Sequence, residues 1–183
     1  MTNEEEDVVD FLRRQHEEIR QLFTRMETAR GDDRTTTFRE LVRLLAVHET
    51  AEEEIVHPEV RDLSGGAAVV DARIGEEHRA KELLSTLDSI GPDADGFDTL
   101  LLQLRDDVLA HAEHEEREEF PLLRQNHDAK RLRAMATTAR LAAATAPTRP
   151  HPGVESAKAN LLLGPPMAIM DRARDAIRSA LGR

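Results

Sequence analysis

Two stretches of the chain carry the same arrangement of metal-ligand side chains. His48-Glu-Thr-Ala-Glu52-Glu53 leads to Pro58 and His111-Ala-Glu-His-Glu115-Glu116 leads to Pro121, so each reads His-x-x-x-Glu-Glu with Pro ten residues after the His. Residues four apart on a helix project from one face, a turn apart. Each stretch can therefore present one imidazole and one carboxylate together. Each is preceded by a further His on the apolar stripe of another segment: His16 lies 32 residues before His48, and His78 lies 33 before His111. In this reading four imidazoles and two carboxylates converge. That is enough for two metal ions, with two imidazoles each and Glu52 and Glu115 bridging both. The chain has no Cys, which excludes thiolate sites and thiol nucleophiles. An N/O donor set suits iron, manganese or zinc, not an iron–sulfur cluster.

A single His on an apolar face is ordinarily a hydrogen-bonded core residue, and a Glu run is ordinarily a solvated face. Here the whole pattern recurs at matched spacing. Six such groups in register with apolar stripes would bury uncompensated charge unless cations neutralised it. The neighbours carry weaker signals. Glu53 and Glu116 are expected first on an exposed face, with the edge of the site or a hydrogen bond to a ligand imidazole as the alternative. His57 is expected to pack or cap, His114 to lie off the core axis, and His127 and His151 carry no signal.

The elements that must position these groups are read from periodicity. Val8, Phe11, Leu12, His16, Ile19, Leu22, Phe23 and Met26 form one helix face, followed by a break at Gly31-Asp32-Asp33 and a capping box at Thr37-Phe38-Arg39-Glu40. A second helix runs through Phe38, Leu41, Leu45, His48, Glu52 and Ile55 to near Pro58. After Ser64-Gly65-Gly66, a third follows Val70, Ile74, His78, Lys81 and Leu84 to Leu87. After Gly91-Pro92-Asp93, a fourth carries Leu101, Leu104, Val108, His111, Glu115 and Leu122. Four helices with short connections predict an all-α, up-down-up-down four-helix bundle over residues 1–125. Residues 126–183 are predicted as a C-terminal helical extension: an Ala-rich helix over 128–145, a Pro-rich linker at 146–153, the apolar Leu161-Leu162-Leu163, and a short amphipathic helix over 167–181.

Composition agrees. Of 183 residues 39% are apolar and 33% charged, with no Trp or Tyr. The net charge of −11 is unevenly spread: residues 1–125 carry 15 Lys+Arg against 32 Asp+Glu, and residues 126–183 carry 10 against 4. An acidic body without Trp or Tyr for base stacking is not expected to bind nucleic acid. The basic tail is expected to dock on this body or on a second copy, which would make a homo-oligomer. No stretch is long and apolar enough to span a bilayer, and the N-terminus is acidic where a secretion signal is basic and then apolar, so a cytoplasmic protein is expected.

The paired His-x-x-x-Glu motifs with their trailing Pro resemble the hemerythrin-like family, the HHE cation-binding domain, over about residues 5 to 125. The resemblance implies a bundle around two iron ions joined by an oxo or hydroxo bridge. His16 would come from the first helix, His48 and Glu52 from the second, His78 from the third, and His111 and Glu115 from the fourth. Oxygen-carrying members have a second His four residues after the third-helix His; here that position is Glu82. They close the fourth-helix motif as His-x-x-x-x-Asp, where this chain has His-x-x-x-Glu. Glu82 either binds, closing one position and favouring ferric iron, or leaves one position open on each metal. Both departures point away from simple reversible oxygen binding. The expected function is a non-heme di-iron protein that binds or reacts with O2, peroxide or NO, its enzymatic form consuming peroxide or NO. A non-catalytic iron, oxygen or redox sensor is the alternative, as is iron sequestration, which a bundle without a storage cavity disfavours.

Overall fold

The computed structural model describes residues 6–145 and 165–182, and every regular element among them is helical. The first helix, α1 (Val8–Thr28), is capped by Asp7, whose side chain accepts from the Asp10 N–H at 2.9 Å. The second starts at Gly31, so the expected break shrinks to Ala29 and Arg30, and Asp32 and Asp33 occupy its first turn. Acidic groups there complement the helix dipole, which is why they begin a helix and do not interrupt one. This α2 comprises Gly31–Ala51, a π-helical turn at Glu52–Val56 and a last stretch at His57–Arg61. The third, α3 (Gly66–Ile90), begins where only glycine fits: a Cβ on Gly66 would lie 1.8 Å from the Val60 carbonyl oxygen. The fourth repeats the form of the second: Phe97–His114, a π-helical turn at Glu115–Glu119, then Phe120–Asn126. This is α4. Two more helices follow, α5 (Ala129–Thr145) and α6 (Pro165–Leu181).

Both π turns have the same cause. Pro58 and Pro121 lack an N–H, and in an unbroken α-helix their rings would strike the carbonyl four residues back. The chain widens instead, and the His57 and Phe120 N–H groups bond to the carbonyls of Glu52 and Glu115, five residues earlier. Each Pro therefore sets a wide turn that starts on the repeat's own glutamate.

The packed interior falls into two apolar clusters. One joins the start of α1, the ends of α2 and α4, and the C-terminal helices through Leu132, Met135, Ala136, Ala139 and Ile177. The other, from Ile19 and Leu45 to Leu87 and Val108, fills the opposite end. Between them lies a belt of buried polar groups from all four bundle helices. The tail docks on its own bundle: α6 packs on α2, α3 and α5 with Ala173 and Ile177 fully buried. Arg174 and Arg178 meet Glu54 at 3.0 Å each, the pairing expected of a basic tail on an acidic body. The linker at 146–153 with His151, and Leu161-Leu162-Leu163, lie outside the described residues. No helix among the described residues is long and apolar enough to cross a membrane.

Candidate metal centre

The belt holds two overlapping groups of ligand atoms, each group within 4.8 Å: His16, His48, Glu52 and Glu115, and Glu52, Glu77 and His111. The His-x-x-x-Glu spacing works as the sequence implies. His48 Nε2 lies 3.1 Å from Glu52 Oε1, and His111 Nε2 lies 3.4 Å from Glu115 Oε1. Across the bundle, His16 Nε2 is 3.2 Å from Glu115 Oε2 and 3.1 Å from His48 Nε2.

Each imidazole is held from behind by its other nitrogen. His48 Nδ1–H donates to Gln15 Oε1 at 3.0 Å, His16 Nδ1–H to Glu116 Oε1 at 2.9 Å, and His111 Nδ1–H to Glu76 Oε2 at 3.0 Å. With Nδ1 engaged on the outside, Nε2 is the nitrogen that faces inward, and in the neutral ring it would carry the lone pair a metal ligand needs. Glu116, for which an exposed face is the first expectation, instead takes the orienting role. Gln15, a neutral residue next to a His, and Glu76, on an unrelated helix, gave no sequence signal for theirs.

The belt's electrostatics fit a cation. All four carboxylate oxygens of Glu52 and Glu115, and His111 Nε2, are buried without a hydrogen-bond partner. Carboxylate oxygens of Glu52 and Glu115 lie within 4.8 Å of each other, where two full charges would repel by roughly 3 kcal/mol or more at an effective dielectric constant of about 20. Burial, and then the Glu115 charge, push the Glu52 carboxyl well above its ordinary value. Burial acts on Glu115 in the same direction, but the neighbouring His111 charge outweighs it and holds that carboxyl well below the usual range. His48 is pushed down by burial and by the charge of His16. Without a cation, then, the belt stores protons and like-charge repulsion. Imidazole nitrogens and carboxylate oxygens are the donors that divalent iron, manganese or zinc accept, so the residues present fit such an ion.

The third helix departs from expectation. His78 is 74% exposed and Glu82 69% exposed, and they pair with each other at 3.3 Å on the outer face. The inward stripe of α3 is Gly66, Val70, Arg73, Glu77, Ala80, Leu84 and Leu87, a strict alternation of four and three. Ile74, which drew the expected stripe toward His78, is 43% exposed. Glu77 takes the inward place, and the structure brings neither His78 nor Glu82 to the cluster.

Residues 7–123 match the family model described as the hemerythrin HHE cation-binding domain. The chain belongs to this family. Over 132 residues it is 28% identical to a DNA nickase of Nostoc sp. (strain PCC 7120 / SAG 25.82 / UTEX 2576), a match covering 72% of this chain and 37% of that protein. The chain thus spans little more than a third of that relative's length. Its fold is similar to the crystal structure of a hemerythrin HHE cation-binding domain-containing protein from Mycobacterium kansasii. That likeness has a TM-score of 0.70 and 19% identity, covering 92% of this chain and 99% of the other.

Two further features of this HHE domain surround the cluster. His57, carried inward by the π turn, is 3% exposed; its Nε2 bonds to Glu77 Oε1 at 2.6 Å and its Nδ1 to Glu119 Oε1 at 2.8 Å. Burial pulls its pKa down, but the hydrogen bonds to Glu119 and Glu77 outweigh that and raise it to about 10. It does pack, as expected, but as a buried cation between two carboxylates. The second feature is a small cavity of about 10 Å³ beside His16, His48 and His111, walled by Ile19, Leu45, Ala80, Val108 and Ala112. That is room for about one water-sized body, and Glu49 and Glu77 share its lining with the apolar residues.

Proposed function

We propose that this HHE domain binds two iron ions in the belt and reacts there with a small molecule such as O2, peroxide or NO. One position is held by His16 and His48, the other by His111 and Glu77, with Glu52 and Glu115 shared. The observation that carries the reading is the set of five buried polar atoms without partners on Glu52, Glu115 and His111, framed by imidazoles whose outer nitrogens are already engaged. His78 and Glu82 have no part in it. When bound, a pair of iron ions supplies Lewis-acid polarisation and electrons for a bound diatomic or peroxide.

The chain's own residues do the rest. Gln15, Glu116 and Glu76 fix ring orientation and keep Nδ1 protonated. Ile19, Leu45, Ala80, Val108 and Ala112 keep the adjoining space small, which excludes a larger organic substrate. The acidic charge of residues 1–125 offers a phosphate backbone no attraction, which speaks against the nicking activity named for the Nostoc relative. A cytoplasmic setting suits a chain without Cys.

Metal analysis with an optical spectrum before and after peroxide or NO tests the proposal. About two irons per chain and repeated consumption of one of these molecules are expected. An iron-free protein, or a normal iron content in both His48→Ala and His111→Ala, would refute it. A sensor is the second reading, favoured by the ion pairs that tie α6 to Glu53 and Glu54, next in sequence to Glu52. A sensor would change the protection of α6 with metal or redox state and show no turnover.

A further inference from the structure

The two ligand groups differ in what stands behind them. In the first, the outer nitrogens of the two imidazoles meet a neutral amide, Gln15, and a carboxylate, Glu116. In the second, Glu77 is already held by cations. Its Oε1 accepts from His57, and its Oε2 accepts from the Lys81 ammonium at 3.2 Å. Lys81 sits one helical turn after Glu77 on α3 and is mostly buried, with 24% of its side chain exposed. The same ammonium lies 3.4 Å from Glu49 Oε2 and bonds to Glu53. Arg174 of α6 takes the other oxygen of Glu53 at 3.2 Å. A positive charge is thus placed among the carboxylates that a second metal ion would neutralise.

We propose that Lys81 is an internal cation competing with a metal ion for Glu77, so that the centre loads in order: the His16–His48 position first, the His111–Glu77 position second and more weakly. The inference rests on the two-metal reading and deepens it. Two cations drawn to one carboxylate oppose each other, so an ion entering beside Glu77 must work against the ammonium or displace it from Glu77, leaving it on Glu53 at the partly exposed edge of the site. Binding at the second position and the Lys81–Glu77 contact are therefore linked, each weakening the other.

Anaerobic titration of the metal-free full chain with ferrous iron, in competition with a chelator of known affinity, tests this. Two resolved steps are expected for the natural chain. Lys81→Met should tighten the second step at least tenfold while moving the first less than threefold, and Lys81→Arg should keep the steps apart. Glu53→Gln removes a rival for Lys81 from the partly exposed edge of the site, so it should weaken the second step at least threefold, and it keeps the test decisive if Lys81→Met fails to fold. Two equal steps in the natural chain, or a second step that Lys81→Met leaves unchanged or weakens, would overturn the ordering while leaving two-metal binding intact. Binding of one ion or none by the natural chain would overturn the two-metal reading and this inference with it.

Discussion

The third helix provides the sharpest test, because adjacent residues there have opposite predicted roles. His78 is 74% exposed and its partner is the exposed Glu82, 3.3 Å away. An exposed i, i+4 pair contributes about 0.3–0.5 kcal/mol. His78→Ala should therefore shift the melting temperature by no more than about 2 °C, at about 2–4 °C per kcal/mol for a chain of this size. Iron content should not change. Glu77 is 2% exposed and bonds to His57 at 2.6 Å and to Lys81 at 3.2 Å. Glu77→Gln keeps the shape but leaves two buried cations one counter-charge short. Breaking a buried pair in this way costs about 3–5 kcal/mol, a fall of roughly 6–20 °C in melting temperature. The variant should also retain about one iron per chain instead of two. Calorimetry and metal analysis on the same preparations read both effects. Loss of iron in His78→Ala with normal iron and stability in Glu77→Gln would show that α3 presents its other face inward, and would refute the arrangement described.

Chelation should lower the melting temperature near neutral pH, because Glu52 and Glu115 then share the belt without a cation; thermal scans with and without chelator check it. The metal-free protein should lose stability from about pH 6.5 to pH 10. His57, raised to about 10 from an ordinary 6.5, stabilises fully below 6.5 and loses this as pH climbs through 10. Glu49, raised by burial to about 8 from 4.5, keeps a proton in the folded chain that the unfolded chain has released, so its destabilisation builds up between 4.5 and 8. A metal-free melting temperature that rises between pH 6.5 and 9 would contradict both. Ile177→Ala, at a fully buried position of α6, should cost about 2–5 kcal/mol. Proteolysis at α6 should quicken in that variant, and an unchanged rate would count against docking.

The bundle was legible because its helices obey their periods, and the second and fourth ligand pairs because i, i+4 spacing is a property of the backbone. The rest was hidden for identifiable reasons. On α3 the strict stripe runs through Arg73 and Glu77, residues that a hydropathy reading assigns to solvent, whereas exposed Ile74 reads as core. Only the site's own electrostatics justify burying Glu77 there. His57 was hidden for another reason: Pro58 was visible, but its effect, a turn that brings the fifth residue after Glu52 onto the same side, depends on the chain widening instead of ending. The helical start at Gly31 was masked by residues that favour turns and helix N-termini alike.

The division of the core by the polar belt bears on the order in which the protein can be made. The cluster at one end draws its buried members from residues 19–108, all of which are synthesised before α5 and α6. The cluster at the other end needs Leu132, Met135 and, last, Ile177. At about 5–20 residues per second, the chain from Glu115 to Ile177 takes several seconds to appear. During that interval every ligand has been synthesised, while the helix that ties down Glu53 and Glu54 has not. Any ion taken up in that interval would enter a belt that α6 does not yet flank, and the docking of α6 would then close over it.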